Sequence, residues 1–514
     1  MGQQFSGAAA IRAAVMIMGS TYVTYAVGLV VSIIVARSLG PDDFGRYSYV
    51  VWVAGILLAF GNNGLTTTAI RFVSELLGRE SPDAARSVHG WLLRRQLACL
   101  ALVAVVFVLG AKQFAPVGWQ YPLWWFVVIA LVAGLAKAVY IFDSSIAKGY
   151  GRFDVEAKAT VTLSGVNVVS VLLLVYFDAS LIAYLLAFLG VSIGYGLMSS
   201  WMLRRGGMTS VAAPLAPELG QRVRQHLFWT VLLVLAFTLS NKSIETYLLN
   251  ATAGPAEVGF FAIAAALSRG GVDLLSSGLM TVMMPVMAHA FGRGGLEHAS
   301  RLMAKALRYC VFLGLMLVGV GLLCSRPGVM LLYGEEYQQV VLPLRVMILV
   351  GGLTLGESAF TALLSTTDNQ RLRVVFSGLF LGLAAAFAFA LVPRYGLVGA
   401  VVSYASSRLV ASVLLWVVVS RVMHLRLPWG EYLRLVGCAA LAGAVSLGLV
   451  LLLPGMWTEL AAGVLFAALY LACTIAFNAW RSSDVAHLIE FLERYPFLHA
   501  RMSGWLQRWA LRLS

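Results

Sequence analysis

Charge is scarce in this chain. Asp, Glu, Lys and Arg together make up 12% of its 514 residues, about half of the roughly 25% typical of a soluble domain. So few charges cannot cover a water-facing surface, and an ordinary soluble fold is excluded. Cysteine is scarce too. The five (Cys99, Cys310, Cys324, Cys438 and Cys473) fall in or beside apolar stretches and form no CxxC pair. They read as small buried hydrophobes rather than redox or zinc ligands. The seven histidines make no HExxH or other ligand spacing. No GxxxxGK[ST] loop is present, which excludes nucleotide hydrolysis by that route. The glycines of GRGG at 292–295 read as a flexible turn. The alternation of a membrane β-barrel is missing as well. The expectation is a protein that is not an enzyme and needs no metal or cofactor.

What is present in excess is apolar length. Hydrophobic residues make up 60% of the chain and the mean hydropathy is +0.85. Runs of about 20 apolar residues cross a ~30 Å hydrocarbon core as helices, which satisfy their own backbone groups there. Fourteen spans are predicted, near 14–36, 47–67, 96–115, 123–146, 159–177, 180–203, 227–249, 257–286, 306–324, 339–364, 374–392, 396–420, 432–453 and 457–479. The first apolar run, Val15 to Val35, is too long for the core of a cleaved signal peptide and reads as a span. With the N-terminus inside, 27 of the 37 Lys and Arg residues fall in inner loops, 6 in outer loops and 4 within spans. That bias predicts both termini on the cytoplasmic side of the inner membrane. The net charge of +14 then reflects topology and contact with anionic lipid, not nucleic-acid binding.

The chain also repeats itself. Gly40, Pro41 and Gly45 return 214 residues later as Gly254, Pro255 and Gly259. Asp43 returns as Glu257, and Gly78–Arg79 as Gly292–Arg293. Six predicted spans separate the copies, an even number, so the repeat is parallel. The expected architecture is an all-α membrane protein with two six-helix lobes. Residues 1–205 form the first lobe, 206–225 a cytoplasmic linker and 226–422 the second lobe. Spans 13 and 14 occupy 423–480. The segment 481–514 carries Leu488, Phe491, Leu492, Leu498, Trp505 and Trp509 against Arg494, Arg501 and Arg508. That pattern reads as an amphipathic interfacial tail, either an anchor or a dock for a partner.

Charged groups inside a membrane cost about 2.5–3.5 kcal/mol each at its centre and face a cavity or a partner. Asn62 and Asn63 precede Arg71 and Glu75 in the second span, and Arg71 and Glu75 share a helical face. They read as a snorkelling pair or as part of a cavity. Lys137 lies well inside the fourth span with no carboxylate within one turn. Asp143 reads as a cap near the inner end. The seventh span carries Asn241, Lys242 and Glu245, and the eighth carries Arg269 and Asp273 around Gly270–Gly271. Glu357 sits alone in the tenth. Guanidinium forks and lysine charges suit phosphate oxygens. Lys137, Lys242, Arg269 and Arg71 are therefore the candidate cations for an anionic head group. Glu245, Asp273 and Glu357 are candidates for coupling to H+ or Na+, and Asn62, Asn63 and Asn241 for a polar lining.

Several segments match a known family in order and spacing. ARSLGPDDFGRYSYV (36–50), GNNGLTTTAIRFVSE (61–75) and NKSIETYLLNATAGPAEVGFFAIAAALSR (241–269) resemble its first loop, second span and seventh to eighth spans. LLYGEEY (331–337) and VPRYGLVGAVVSY (392–404) are similar to its later loops and spans. The family is the bacterial polysaccharide flippases of the multidrug/oligosaccharidyl-lipid/polysaccharide superfamily. Glu245 stands where an aspartate is expected. The resemblance implies a MATE-like fold, with two lobes forming a V, and the movement of a polyprenyl-diphosphate-linked oligosaccharide from the inner to the outer leaflet. It implies membrane lipids and polysaccharide polymerase or assembly proteins as partners. The residues alone leave other readings open. These are a peptidoglycan-precursor (lipid II) flippase, a multidrug extruder of the same fold, a membrane glycosyltransferase or polymerase, and a scaffold. Cavity cations disfavour a cation extruder, and short outer loops disfavour a polymerase.

Overall fold

The computed structural model describes residues 7–241, 244–366, 370–422 and 429–480. The tail expected at 481–514 lies outside the described residues, as does Lys242. Among the described residues every regular element is helical. In order these are α1 (Gly7–Asn62), α2 (Leu65–Gly78), α3 (Pro82–Gly110), α4 (Leu123–Gly149), α5 (Asp154–Tyr176), α6 (Leu181–Arg205) and α7 (Pro217–Asn241). There follow α8 (Ile244–Thr252), α9 (Pro255–Tyr333), α10 (Val341–Leu353), α11 (Glu357–Thr366), α12 (Gln370–Val422), α13 (Trp429–Leu452) and α14 (Met456–Ala476).

Ten helices among the described residues are long and apolar enough to cross a membrane, fewer than the fourteen spans predicted. The difference has a physical origin. α1 runs on through Gly40 (φ 73°) before Pro41, and α12 through Gly396 (φ 52°) just after Pro393. Both glycines take the left-handed conformation that a side chain resists, so each long helix bends sharply there without a loop. α9 is interrupted at Gly294–Gly295 in the same manner. Elsewhere a predicted span is cut short. α2 begins only after Asn63 (φ 23°) and Gly64, and three residues, Thr354 to Gly356, part α10 from α11.

The chain packs as two compact units. The first comprises residues 1–270, 332–347 and 370–411. The second comprises 271–331, 348–369 and 412–514, of which the described part ends at 480. This division does not follow the boundaries read from the sequence. Residues 206–270, expected as linker and second lobe, pack with the first unit. In that unit α4 lies against α1, α2, α5 and α6. Leu65, Phe72 and Leu76 of α2 bury themselves among Val88 and Leu92 of α3 and Phe142 and Ile146 of α4.

In the second unit the α13–α14 hairpin is fastened to the later half of α9. Phe312 stacks on Tyr470 at 5.3 Å and Phe466 on Tyr470 at 5.7 Å. Gly319 lets the Phe466 ring sit directly on the α9 backbone. Two ion pairs bracket this apolar seam: Arg308 Nη1 to Glu431 Oε2 at 2.7 Å, and Arg326 Nη1 to Glu459 Oε1 at 3.1 Å. Arg308 is 1% exposed. Removing one member of a buried pair costs about 3–5 kcal/mol, whereas replacing both by apolar groups is often neutral. Glu431→Ala should therefore lower the melting temperature of the purified protein sharply. Arg308→Met/Glu431→Leu should recover most of the loss in the same thermal melt.

Candidate functional site

The two copies of the repeated loop meet each other in the first unit. A Cβ on Gly45 would overlap the carbonyl of Pro255. A Cβ on Gly259 would lie 3.2 Å from both Gly45 Cα and Pro41 O. The echoed residues are thus each other's packing surface, glycine against the partner loop's proline in both directions. Hydrogen bonds seal this end. Asn250 donates to Ala115 O at 3.2 Å and accepts from Val117 N at 3.1 Å. Tyr337 Oη donates to Ala36 O at 2.6 Å, and Arg37 Nε to Leu332 O at 2.8 Å.

Lys137 projects from α4 towards α6. Its Nζ lies 5.0 Å from the Phe188 ring centre and 5.8 Å from that of Tyr195. Cation–π attraction of this kind steadies an ammonium without neutralising it. Tyr195 is itself held by Ser164 at 3.4 Å and packs on Tyr140, whose hydroxyl meets Thr160 at 3.0 Å. One turn and a half along α4, Asp143 is buried and accepts from Ser199 at 3.1 Å and Ser200 at 2.5 Å. Its position near the inner end of the span suggests a cap, whereas the structure buries it against α6. The signal available was the Ser199–Ser200 pair in the sixth span, a ready partner for a carboxylate at matching depth.

Glu245 is 3% exposed and accepts from Ser403 Oγ at 3.0 Å. Arg269 lies close enough to act on it electrostatically. Asn62 is engaged as a helix tie. Its Oδ1 accepts from Gln96 Nε2 at 3.2 Å, and the same amide reaches Ala138 O at 3.2 Å. Gln96 of α3 thus ties Asn62 at the end of α1 to the backbone of α4. Asn63 takes the positive φ that ends α1, so its first duty is the break before α2. Glu357 belongs to the second unit. It opens α11 straight after the helix break and accepts from Ser412. The side chains of Asn241 and Asp273 lie outside the described residues.

Arg71 is exposed at the middle of α2, close enough to His226 of α7 to act on it electrostatically. The sequence suggests that it pairs with Glu75. Glu75 Oε1 instead takes Arg79 Nη2 at 2.7 Å and Arg222 Nη2, from α7, at 2.8 Å. The Arg222 hydrogen bond, with help from Arg79 and Arg71, holds the Glu75 carboxyl below the usual glutamate range. Phe72 has the Arg71 guanidinium 5.5 Å and the Arg222 guanidinium 5.8 Å from its ring centre. His226 sits edge-on to the same ring, with Nδ1 3.3 Å from both Thr68 and Thr230 hydroxyls. Burial, and then the Arg71 charge, push the His226 imidazole below its ordinary value, so it is neutral at pH 7.

A family model described as "Polysaccharide biosynthesis protein" matches residues 10–291. The chain is 22% identical over 397 residues to the capsular polysaccharide biosynthesis protein CapF of Staphylococcus aureus. That alignment covers 74% of this chain and 91% of the relative. Among solved structures it resembles the lipid II flippase MurJ in an inward closed conformation, with a TM-score of 0.72 at 13% identity. The match covers 89% of this chain and 97% of that one. It also resembles a multidrug resistance MATE family transporter in an inward-facing conformation, with a TM-score of 0.66 at 17% identity over 78% of this chain and 94% of that one. These likenesses show the fold.

The loop-to-loop contact gives a direct test. Overpacking a tight contact costs about 1–3 kcal/mol. Gly45→Val should lower the melting temperature by several degrees. Gly270→Ala, where nothing lies within 4 Å of the added carbon, should leave it unchanged.

Proposed function

Because this chain belongs to the polysaccharide biosynthesis protein family, we propose that it carries a polyprenyl-diphosphate-linked oligosaccharide from the cytoplasmic to the outer leaflet of the inner membrane. The reading rests above all on Lys137, a cation kept among aromatic rings inside an apolar helical bundle. A fixed positive charge in low dielectric suits a diphosphate, while the prenyl chain stays in lipid and the sugars cross. Arg269 and Lys242 extend the same chemistry from the second copy of the repeat.

Counting the bends in α1, α9 and α12 as turns between crossings, and joining each interrupted helix to its neighbour, gives fourteen crossings with both termini cytoplasmic. In this arrangement the glycine contact between the repeated loops closes the outer side, and α2 meets α7 on the inner side. Transport proceeds by rocking of the two halves. Glu245, Asp273 and Glu357 are the carboxylates available to couple the motion to H+ or Na+. Surface-polysaccharide polymerase and assembly proteins take the product onward. The fold likeness to a lipid II flippase favours one further reading, a peptidoglycan-precursor flippase, since both substrates carry a diphosphate. Depletion separates them: lysis marks the peptidoglycan precursor, and loss of surface polysaccharide without lysis marks the oligosaccharide.

Lys137→Ala, Lys242→Ala and Arg269→Ala should each cut surface polysaccharide at least roughly tenfold, the scale of one lost charge-assisted hydrogen bond, with protein levels unchanged. Immunoblots of polysaccharide and protein in complemented deletion cells measure both. Normal polysaccharide in all three variants would overturn the cavity assignment.

A further inference from the structure

Three guanidinium groups gather where α2 meets α7, and one carboxylate holds two of them. Arg71 and Arg222 flank Phe72, and Arg79 and Arg222 share a single oxygen of Glu75. With His226 neutral, the cluster carries three cations against one anion. The joint has two unlike parts. At its closed end Gly64 lets α7 approach so nearly that an added Cβ would lie 3.0 Å from Val231 N. About 16 Å along α2, at 1.5 Å per residue, the Glu75–Arg222 ion pair spans the helices above the apolar packing of Phe72 and Leu76 with Val223. This end is open to solvent: Arg222 is 45% and Arg79 61% exposed at the side chain.

We propose that Arg71, Arg79 and Arg222 form a loading site for a lipid-borne diphosphate, with Glu75 as a placeholder that the diphosphate displaces. A diphosphate brings at least two negative charges and several acceptor oxygens to a cluster with two uncompensated positive charges. Paired guanidinium forks bind such a group more strongly than they bind a single carboxylate oxygen. As the diphosphate takes over Arg222, α7 loses its ion pair with Glu75, and the apolar packing of Phe72 and Leu76 with Val223 is left to hold that end of the joint. Substrate arrival thus loosens the joint. The Phe72 ring holds Arg71 and Arg222 in place while Glu75 leaves. The site deepens the transport reading and rests on it for the lipid source of the diphosphate.

The test measures binding of inorganic pyrophosphate, farnesyl diphosphate and uridine diphosphate to the purified full chain in nanodiscs by isothermal titration calorimetry. Glu75→Gln removes the competitor and should tighten pyrophosphate binding about tenfold. Glu80→Gln, an exposed carboxylate one residue beyond Arg79, should change it little. Arg71→Ala and Arg222→Ala should weaken binding about tenfold, and Arg222→Lys by less. Thermal melts confirm that each variant is folded. Farnesyl diphosphate should bind more tightly than either soluble ligand. Glu75→Gln that binds no tighter than wild type, or no more than Glu80→Gln, overturns the placeholder role. Unchanged binding in Arg222→Ala overturns the site, and equal affinity for all three ligands overturns the lipid source. These measurements use purified protein, so they can fail while Lys137→Ala still abolishes surface polysaccharide, and the reverse can also occur.

Discussion

In hydrocarbon no water is available to a backbone group that leaves its helix, so each must find a partner inside the protein. That constraint governs where this chain places its acids. At Gly396, where α12 bends, the freed amide of Leu397 donates to Glu257 Oε2 at 2.6 Å from another helix. A side chain at position 396 would collide with that carboxylate. The break before α11 places Glu357 on its first turn. A carboxylate near the start of a helix also answers the unpaired amides and the positive end of the helix dipole there. The same breaks that bend the long helices therefore collect the ionisable groups.

A second consequence follows for packing. Lipid tails are as apolar as leucine, so helices in a membrane gain little from burying hydrophobic surface against each other. Close approach of backbones supplies contact instead. In the first unit Gly45 and Gly259 allow the repeated loops to touch, and Gly90 admits the Val211 backbone against α3. In the second unit Gly314 and Gly352 bring α9 against α10. The glycines shared at the 214-residue offset meet each other, whereas Asp43 and Glu257 at the same offset do different work. Asp43 pairs with Arg46 on its own helix at 2.5 Å, whereas Glu257 reaches across to cap α12.

Much of this was legible in the sequence. Apolar length shows the helices, and the gaps between the predicted spans at 36–47 and 392–396 contain the bends at Gly40 and Gly396. The repeat points to the residues that form the loop contact. Side-chain partners were far less legible, because helical spacing names the neighbours on one helix and is silent about the next. Arg71 and Glu75 have ideal i,i+4 spacing, yet Glu75 bonds Arg79 and an arginine from α7. Asn62 reads as a polar lining and is buried, accepting from Gln96 of α3. Asp143 looked like a cap and is a buried acid held by two serines of α6. Each outcome depended on which helix packs alongside, information carried by tertiary structure alone.

Two kinds of support recur around the ionisable groups. Asp143, Glu245 and Glu357 all accept hydrogen bonds from serine hydroxyls. Lys137, Arg71 and Arg222 all lie over aromatic rings. A hydroxyl supports a carboxylate in either protonation state, since it donates to the anion and accepts from the acid. An aromatic face attracts a cation but carries no net charge, so it steadies the group without adding a second ion to desolvate. The two supports can act together with an ion pair: Arg222 lies over Phe72 and also bonds Glu75. Few charges in an apolar bundle are thus held largely by neutral groups, while ion pairs between helices, Arg308–Glu431 and Arg326–Glu459 among them, fasten one helix to the next.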